Sequence, residues 1–159
     1  MRTTPQLISL ALWLVASFAA AGVGSLFTPG EWYAHLRKPA WTPPGYLFGP
    51  VWTILYALMG TAAWLIWVRY GFDGARMALT LFVLQLALNA MWSWIFFGLH
   101  KPGVAFFEIL LLWVAILATV ITFWLKRPGE GALLLPYLAW VSFAAALNYA
   151  IWRLNRGGG

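Results

Sequence analysis

The chain has no cysteine, only four acidic residues and only two histidines among its 159 positions. Without cysteine there is no disulfide, no thiolate metal site and no cysteine nucleophile, and the redox character of the compartment leaves no mark on the sequence. His35 and His100 fall on different connections with no ligand-like spacing such as HxxxH, so no metal site is expected. Charge of either sign is scarce. Only 9% of residues are charged and 63% are hydrophobic, against about a quarter and about half in soluble domains. A water-facing surface cannot be assembled from that mixture, and the mean hydropathy of +0.79 says the same. The formal charge of +6 comes from ten Lys and Arg placed in ones and twos at the ends of apolar runs. That is the pattern of membrane helix ends, not of a nucleic-acid patch, and no nucleic-acid partner is expected.

What is present in abundance is hydrophobic length. A bilayer crossing needs about 20 apolar residues, and five such runs occupy roughly 7–27, 51–69, 78–97, 104–125 and 133–153. The expected fold is all-α, a single membrane domain over 1–159 built as a five-transmembrane-helix bundle. The first run follows Arg2 and contains Ala19, Ala20 and Ala21, which resembles a cleavable leader. A leader's apolar region spans only about 7 to 15 residues, whereas this run continues through Gly22, Val23 and Leu26, so it reads as a retained helix. Residues 157–159 are a glycine tail. Five crossings place the termini on opposite faces. Arg2, Arg69, Arg76, Lys126 and Arg127 then oppose Arg37, Lys38, Lys101, Arg153 and Arg156, five against five, so charge does not orient the protein.

Residues 28–50 break the pattern with Pro29, Gly30, Pro39, Pro43, Pro44, Gly45 and Pro50 among Glu31, His35, Arg37 and Lys38. Proline removes backbone donors, and exposed irregular backbone is not tolerated in hydrocarbon, so this stretch is a long loop at one face. Its Trp32, Tyr33, Trp41, Tyr46 and Phe48 suit a lid packed onto the bundle. The remaining connections, 70–76, 99–103 and 126–130, are expected as short turns.

Lipid needs only aliphatic contacts, so polar groups in mid-span face other helices or a cavity. Three helical stripes combine aromatic, small and polar residues: Trp52, Tyr56, Gly60, Ala63 and Trp67; Gln85, Asn89, Trp92 and Phe96; and Tyr137, Trp140, Ala144, Asn148 and Trp152. Together they can enclose a large flat apolar guest held by a few polar contacts. The competing reading makes Asn and Gln interhelical glue and the aromatics interfacial belts. Asn89 and Trp140 lie too deep for a belt, whereas Trp13, Trp64, Trp67, Trp113 and Trp124 are expected at the belt or against lipid. Glu108, the one carboxylate inside a span, is expected to reach the interface and pair with Lys101 or another cation, with a proton-carrying or ligand-contacting role as the alternative. Ala16, Ala20 and Gly24, with Ser17, Ala21 and Ser25 beside them, recur every four residues and suit close helix approach, within the chain or between two copies.

Three ordered blocks carry a family resemblance: WYAHLRKPAWTPPGYLFGPVWTILYALMG from Trp32 to Gly60; QLALN with a following Trp and IFFG from Gln85 to Gly98; and PYLAW with LNYAIWR from Pro136 to Arg153. Over nearly its whole length the sequence resembles the TspO/translocator protein family, also known as tryptophan-rich sensory proteins or peripheral benzodiazepine receptors. The resemblance implies a five-helix bundle, often a homodimer, in a membrane expected here to be bacterial. It also implies a pocket beneath the first loop for porphyrins such as protoporphyrin IX and for isoquinoline or benzodiazepine ligands. Carried onto matching positions, the ligand-binding residues are Trp41, Trp52, Tyr56, Asn89, Trp92, Trp140, Ala144 and Asn148, with Tyr137 added from its stripe. No cofactor is required; porphyrin is ligand or substrate. Some bacterial relatives degrade porphyrin oxidatively in light through two pocket tryptophans, which correspond to Trp52 and Trp140. Sterol is a further partner in some members, and Leu147, Tyr149 and Arg153 fit the permissive sterol pattern. Ala90, Ser93 and Trp94 depart from the family's Trp and proline pair, which alters packing at that end of the third span. A receptor or sensor is the leading expectation. A photo-oxidative enzyme and a tetrapyrrole or sterol transporter are the alternatives. A carrier would call for repeats or broken helices, and the sequence shows neither.

Overall fold

A computed structural model describes residues 3–157; Arg2 and the last two glycines lie outside the described residues. Five long helices carry the chain back and forth: α1 (Thr3–Ser25), α3 (Phe48–Gly74), α4 (Arg76–Ser93), α5 (Pro102–Lys126) and α7 (Leu135–Asn155). Two short helices, α2 (Glu31–His35) and α6 (Pro128–Ala132), lie in the connections. Each long helix is long and apolar enough to cross a bilayer, and the protein is an integral membrane five-helix bundle.

Most boundaries moved outward from the apolar runs, but α1 stops at Ser25 instead of 27, the α-helical part of the third span stops at Ser93 instead of 97, and α7 starts at Leu135 instead of 133. The first helix begins at Thr3 and ends at Ser25, and α3 runs through residues 70–74, which the sequence assigned to a turn, leaving only Ala75 before α4. Polar and glycine residues belong to helix there because membrane helices extend past the hydrocarbon to satisfy their own backbone. Gly71, at φ 67°, breaks the α3 dihedrals three residues before its end, a conformation favouring glycine. The 28–50 loop is likewise not featureless: it contains α2, a 3-10 turn at Gly45–Leu47 and the first turn of α3. After Ser93 the chain loosens into a π-helical turn, Trp94–Gly98, so the third crossing ends wider than an α-helix.

Small residues set the helix spacing. Gly60 of α3 faces Leu14 and Ser17 of α1, and a Cβ on it would come within 3.0 Å of both side chains. Ser17 and Ala20 are buried there, so part of the small-residue face serves packing inside the chain, while Ala16 remains exposed. Three tryptophans expected at lipid instead join helices. Trp13 meets Phe82 edge-on at 5.8 Å, Trp64 Nε1 donates to the Gln6 carbonyl and Ser9 Oγ at 3.1 Å each, and Trp113 Nε1 donates to Ser142 Oγ at 2.8 Å. An indole N–H in hydrocarbon needs an acceptor, and a serine one helix away supplies it. Trp67 and Trp124 do stay exposed.

Candidate functional site

Four elements of the bundle part beneath the first loop. Between α1, α3, α4 and α7 lies a cavity of about 670 Å³, walled mainly by apolar and aromatic side chains. Trp52 and Tyr56 come from α3, Asn89 and Trp92 from α4, and Trp140, Ala144 and Asn148 from α7. The π-helical turn adds Phe96 and Phe97, α5 adds Ile109 and Leu112, and the end of α1 adds Gly24 and Phe27. The Trp52 ring stacks on Tyr56 at 5.5 Å and meets Trp140 at 6.5 Å with the planes at 89°. Phe48 and Phe143 both pack on Trp140, at 5.7 and 5.5 Å.

Two polar systems fix this wall. Tyr56 Oη donates to Asn89 Oδ1, Asn89 Nδ2 donates to Tyr137 Oη at 2.8 Å, and Tyr137 Oη donates to Gln85 Oε1 at 2.7 Å. This chain ties α3, α4 and α7 at one depth, with every member buried. Closer to the loop, Trp92 Nε1 donates to Asn148 Oδ1 at 2.9 Å, and Asn148 Nδ2 donates to the Pro102 carbonyl at 2.8 Å. The asparagines therefore serve as interhelical glue and as cavity wall at once; the two readings of the polar stripes do not exclude each other.

The lid closes over this space. Trp32 stacks on His100 at 4.3 Å and meets Phe96 edge-on at 5.7 Å, and Tyr33 packs on Phe97 at 5.5 Å. His100 holds φ 57°, uncommon for a residue with a Cβ, in the turn between the π-helical segment and α5. Farther on, the Arg37 amide donates to Asn155 Oδ1 at 3.0 Å while Asn155 Nδ2 donates back to the Arg37 carbonyl at 2.9 Å. Tyr33, Lys38, Thr42 and Pro43 of the loop border the cavity.

Seven of the sequence-derived ligand residues thus come together on one wall. Two do not. Trp41 lies outside the wall, half exposed and edge-on to Phe143 at 5.6 Å, because the turn at Pro39–Thr42 carries it past the rim. Tyr137 is wholly buried one layer behind, where Asn89 and Gln85 hold its hydroxyl. Of the sterol pattern, Leu147 borders the cavity, whereas Tyr149 and Arg153 sit together on the outer face with 6.0 Å between guanidinium and ring. Trp152 packs against Gly103 outside the cavity, close enough that a Cβ there would lie 2.7 Å from its Nε1. Ser93 approaches Gly24, so the departures from the family pattern at the end of α4 are accommodated by a glycine on α1, and Trp94 points outward.

Glu108 does not reach the interface. It is buried, and neither carboxyl oxygen has a hydrogen-bond partner. It lies on the inward face of α5 among buried Ala105, Ile109 and Leu112 and forms no ion pair with Lys101. Sequence reasoning did not single out Lys38 or Thr42 as bordering residues, and it placed Tyr33 in the lid without assigning it to the cavity. The one available signal was their position in the proline-rich loop, which carried no register.

A membrane helical bundle enclosing a ligand-sized aromatic cavity under a structured lid is the class of protein these features define. The chain belongs to the TspO/MBR family, whose model matches residues 10–153. It is similar to Protein CrtK of Rhodobacter capsulatus, 39% identical over 153 residues covering 96% of each chain. It is also similar to Tryptophan-rich protein TspO of Chlorobaculum tepidum, 42% identical over 94% of this chain and 98% of that one. Translocator protein of Homo sapiens is 44% identical over 85% of this chain and 83% of its own.

Proposed function

We propose that the protein is a membrane receptor or sensor whose cavity binds porphyrin, protoporphyrin IX in particular, and related flat hydrophobic ligands. The observation that carries this reading is the cavity itself: about 670 Å³, inside the roughly 300–1,000 Å³ range of small-molecule sites. Flat aromatic surfaces from α3 and α7 offer stacking, and Tyr56, Asn89 and Asn148 supply a few neutral polar contacts. Titration of purified protein with protoporphyrin IX should quench tryptophan emission to saturation. An unsaturable, linear loss of emission would refute the reading.

The perpendicular Trp52–Trp140 pair on the wall favours a second reading, light-dependent oxidative degradation of bound porphyrin. An indole in contact with an excited porphyrin can give it an electron, with dioxygen as the terminal oxidant. Under illumination in air, bleaching of the porphyrin bands by the wild type but not by Trp140→Phe selects this activity; an unchanged spectrum selects binding alone. Transport of tetrapyrrole or sterol ranks lower, because the α3 break at Gly71 and the π-helical turn lie near helix ends and not at mid-depth. A homodimer belongs to the same proposal, supported by α1, which exposes Leu7, Leu12 and Val15 along most of its length.

A further inference from the structure

Among the 28 residues bordering the cavity, Lys38 is the only one with a charged side chain. It is half-buried, and its ammonium has little to hold: Nζ lies 3.4 Å from the Leu36 carbonyl, a long hydrogen bond, and 4.4 Å above the Tyr33 ring. Among the described residues no acid pairs with it: the ion pairs are Arg76–Asp73 and Arg127–Glu130, both at the opposite face of the bundle. Glu31, the acid on the lid, is exposed and joins neither. Burial pushes the Tyr33 hydroxyl above its ordinary range, so that ring stays a neutral phenol and is not the missing counter-ion.

The backbone around Lys38 is fixed on both sides. Before it, Arg37 is held through its N–H and C=O by the Asn155 amide. After it, Pro39 restricts the Lys38 dihedrals to extended values, and the Pro39 carbonyl accepts from the Thr42 amide at 3.1 Å and from Thr42 Oγ1 at 2.7 Å. A cation with spare donors, placed at the mouth of a water-poor cavity by a rigid turn, is a preorganised partner for an anion.

We propose that Lys38 is the acid-recognition residue of the cavity, pairing with a ligand carboxylate at the lid while the ligand's planar body lies against the wall that Trp52 and Trp140 form. The inference rests on the reading of the cavity as a porphyrin site and narrows it: the preferred guests are flat amphiphiles with an acid on one edge, not flat hydrocarbons. Protoporphyrin IX has that form, with its propionates side by side.

The test pairs two probes with three proteins. Protoporphyrin IX and its dimethyl ester share one ring system and differ in charge, and each is titrated by tryptophan quenching against wild type, Lys38→Met and Lys38→Arg. A charge-assisted hydrogen bond predicts that Lys38→Met weakens the free acid about tenfold or more while leaving the ester within about twofold, and that Lys38→Arg retains most of the acid preference. Comparing the ratio between proteins cancels the unequal partition of the probes into detergent, and ester binding shows that each variant is folded. Equal weakening of acid and ester by Lys38→Met, or an acid-to-ester ratio the substitution does not move, overturns the assignment while leaving the porphyrin site intact. Saturable binding of neither probe to the wild type overturns both.

Discussion

Asn89 is the central member of the buried polar chain, accepting from Tyr56 and donating to Tyr137. Replacing it by leucine keeps the approximate volume, removes both bonds and strands the Tyr56 hydroxyl, whereas Tyr137 keeps its bond to Gln85. Interhelical side-chain hydrogen bonds in membrane proteins average about 0.6 kcal/mol and reach about 1.7. Two such losses, with one buried hydroxyl left unpaired, place the destabilisation at about 1 to 3 kcal/mol. The measurement is reversible unfolding in mixed micelles by denaturing detergent, followed by helical circular dichroism. Tyr137→Phe should lose a similar amount, and Tyr56→Phe, which breaks one bond, should lose less. The decisive quantity is the coupling in the Asn89→Leu, Tyr137→Phe double-mutant cycle. If the two effects add within about 0.3 to 0.5 kcal/mol, the residues do not act on each other and the chain is only a coincidence of positions.

Gly131→Ala should destabilise by about 1 to 3 kcal/mol in the same assay, because its Cβ would sit 2.8 Å from backbone atoms of Trp124, which cannot yield. Gly49→Ala, with nothing within 4 Å, is the control and should stay within about 0.5 kcal/mol of wild type. Ala144→Phe fills the cavity from α7 and should weaken protoporphyrin IX by about tenfold or more, about 1.4 kcal/mol, with unfolding unchanged; full affinity would place the ligand elsewhere. Glu108→Met removes a buried carboxyl without a partner and should stabilise by about 1 kcal/mol, so a marked loss of stability would mean that the acid holds a contact absent from this structure.

How much could be read beforehand differs between the bundle and the site. Five spans follow from length and composition, since few other structures bury such runs. The stripes on the second, third and fifth spans were legible because polar residues in apolar surroundings mark an inward face: Asn89, Trp92, Trp140 and Asn148 all proved to border the cavity. Layer depth was not legible. Tyr137 and Asn148 share a stripe, yet one lies behind the wall and the other on it, a distinction set by which neighbours Gln85 and Trp92 bind. Helix ends were misplaced because hydropathy marks where hydrocarbon ends, whereas the backbone of α3 continues to Gly74. Glu108 was misread for a related reason: distance from a helix end does not say which way a side chain points. Proline and glycine in the loop correctly excluded a crossing but gave no register, and so hid the placement of Trp41 outside and Lys38 inside.

The reciprocal bonds between Arg37 and Asn155 span 118 positions of sequence. A carboxamide there imitates a neighbouring peptide group, so the cover is buttoned to the last turn of α7 as a strand edge would be. During synthesis the first two crossings and their connecting segment are made long before that turn exists. Until α7 is threaded, the roof rests only on the contacts of Trp32 and Tyr33 with His100, Phe96 and Phe97, and loss of Asn155 would keep the hollow but not the latch.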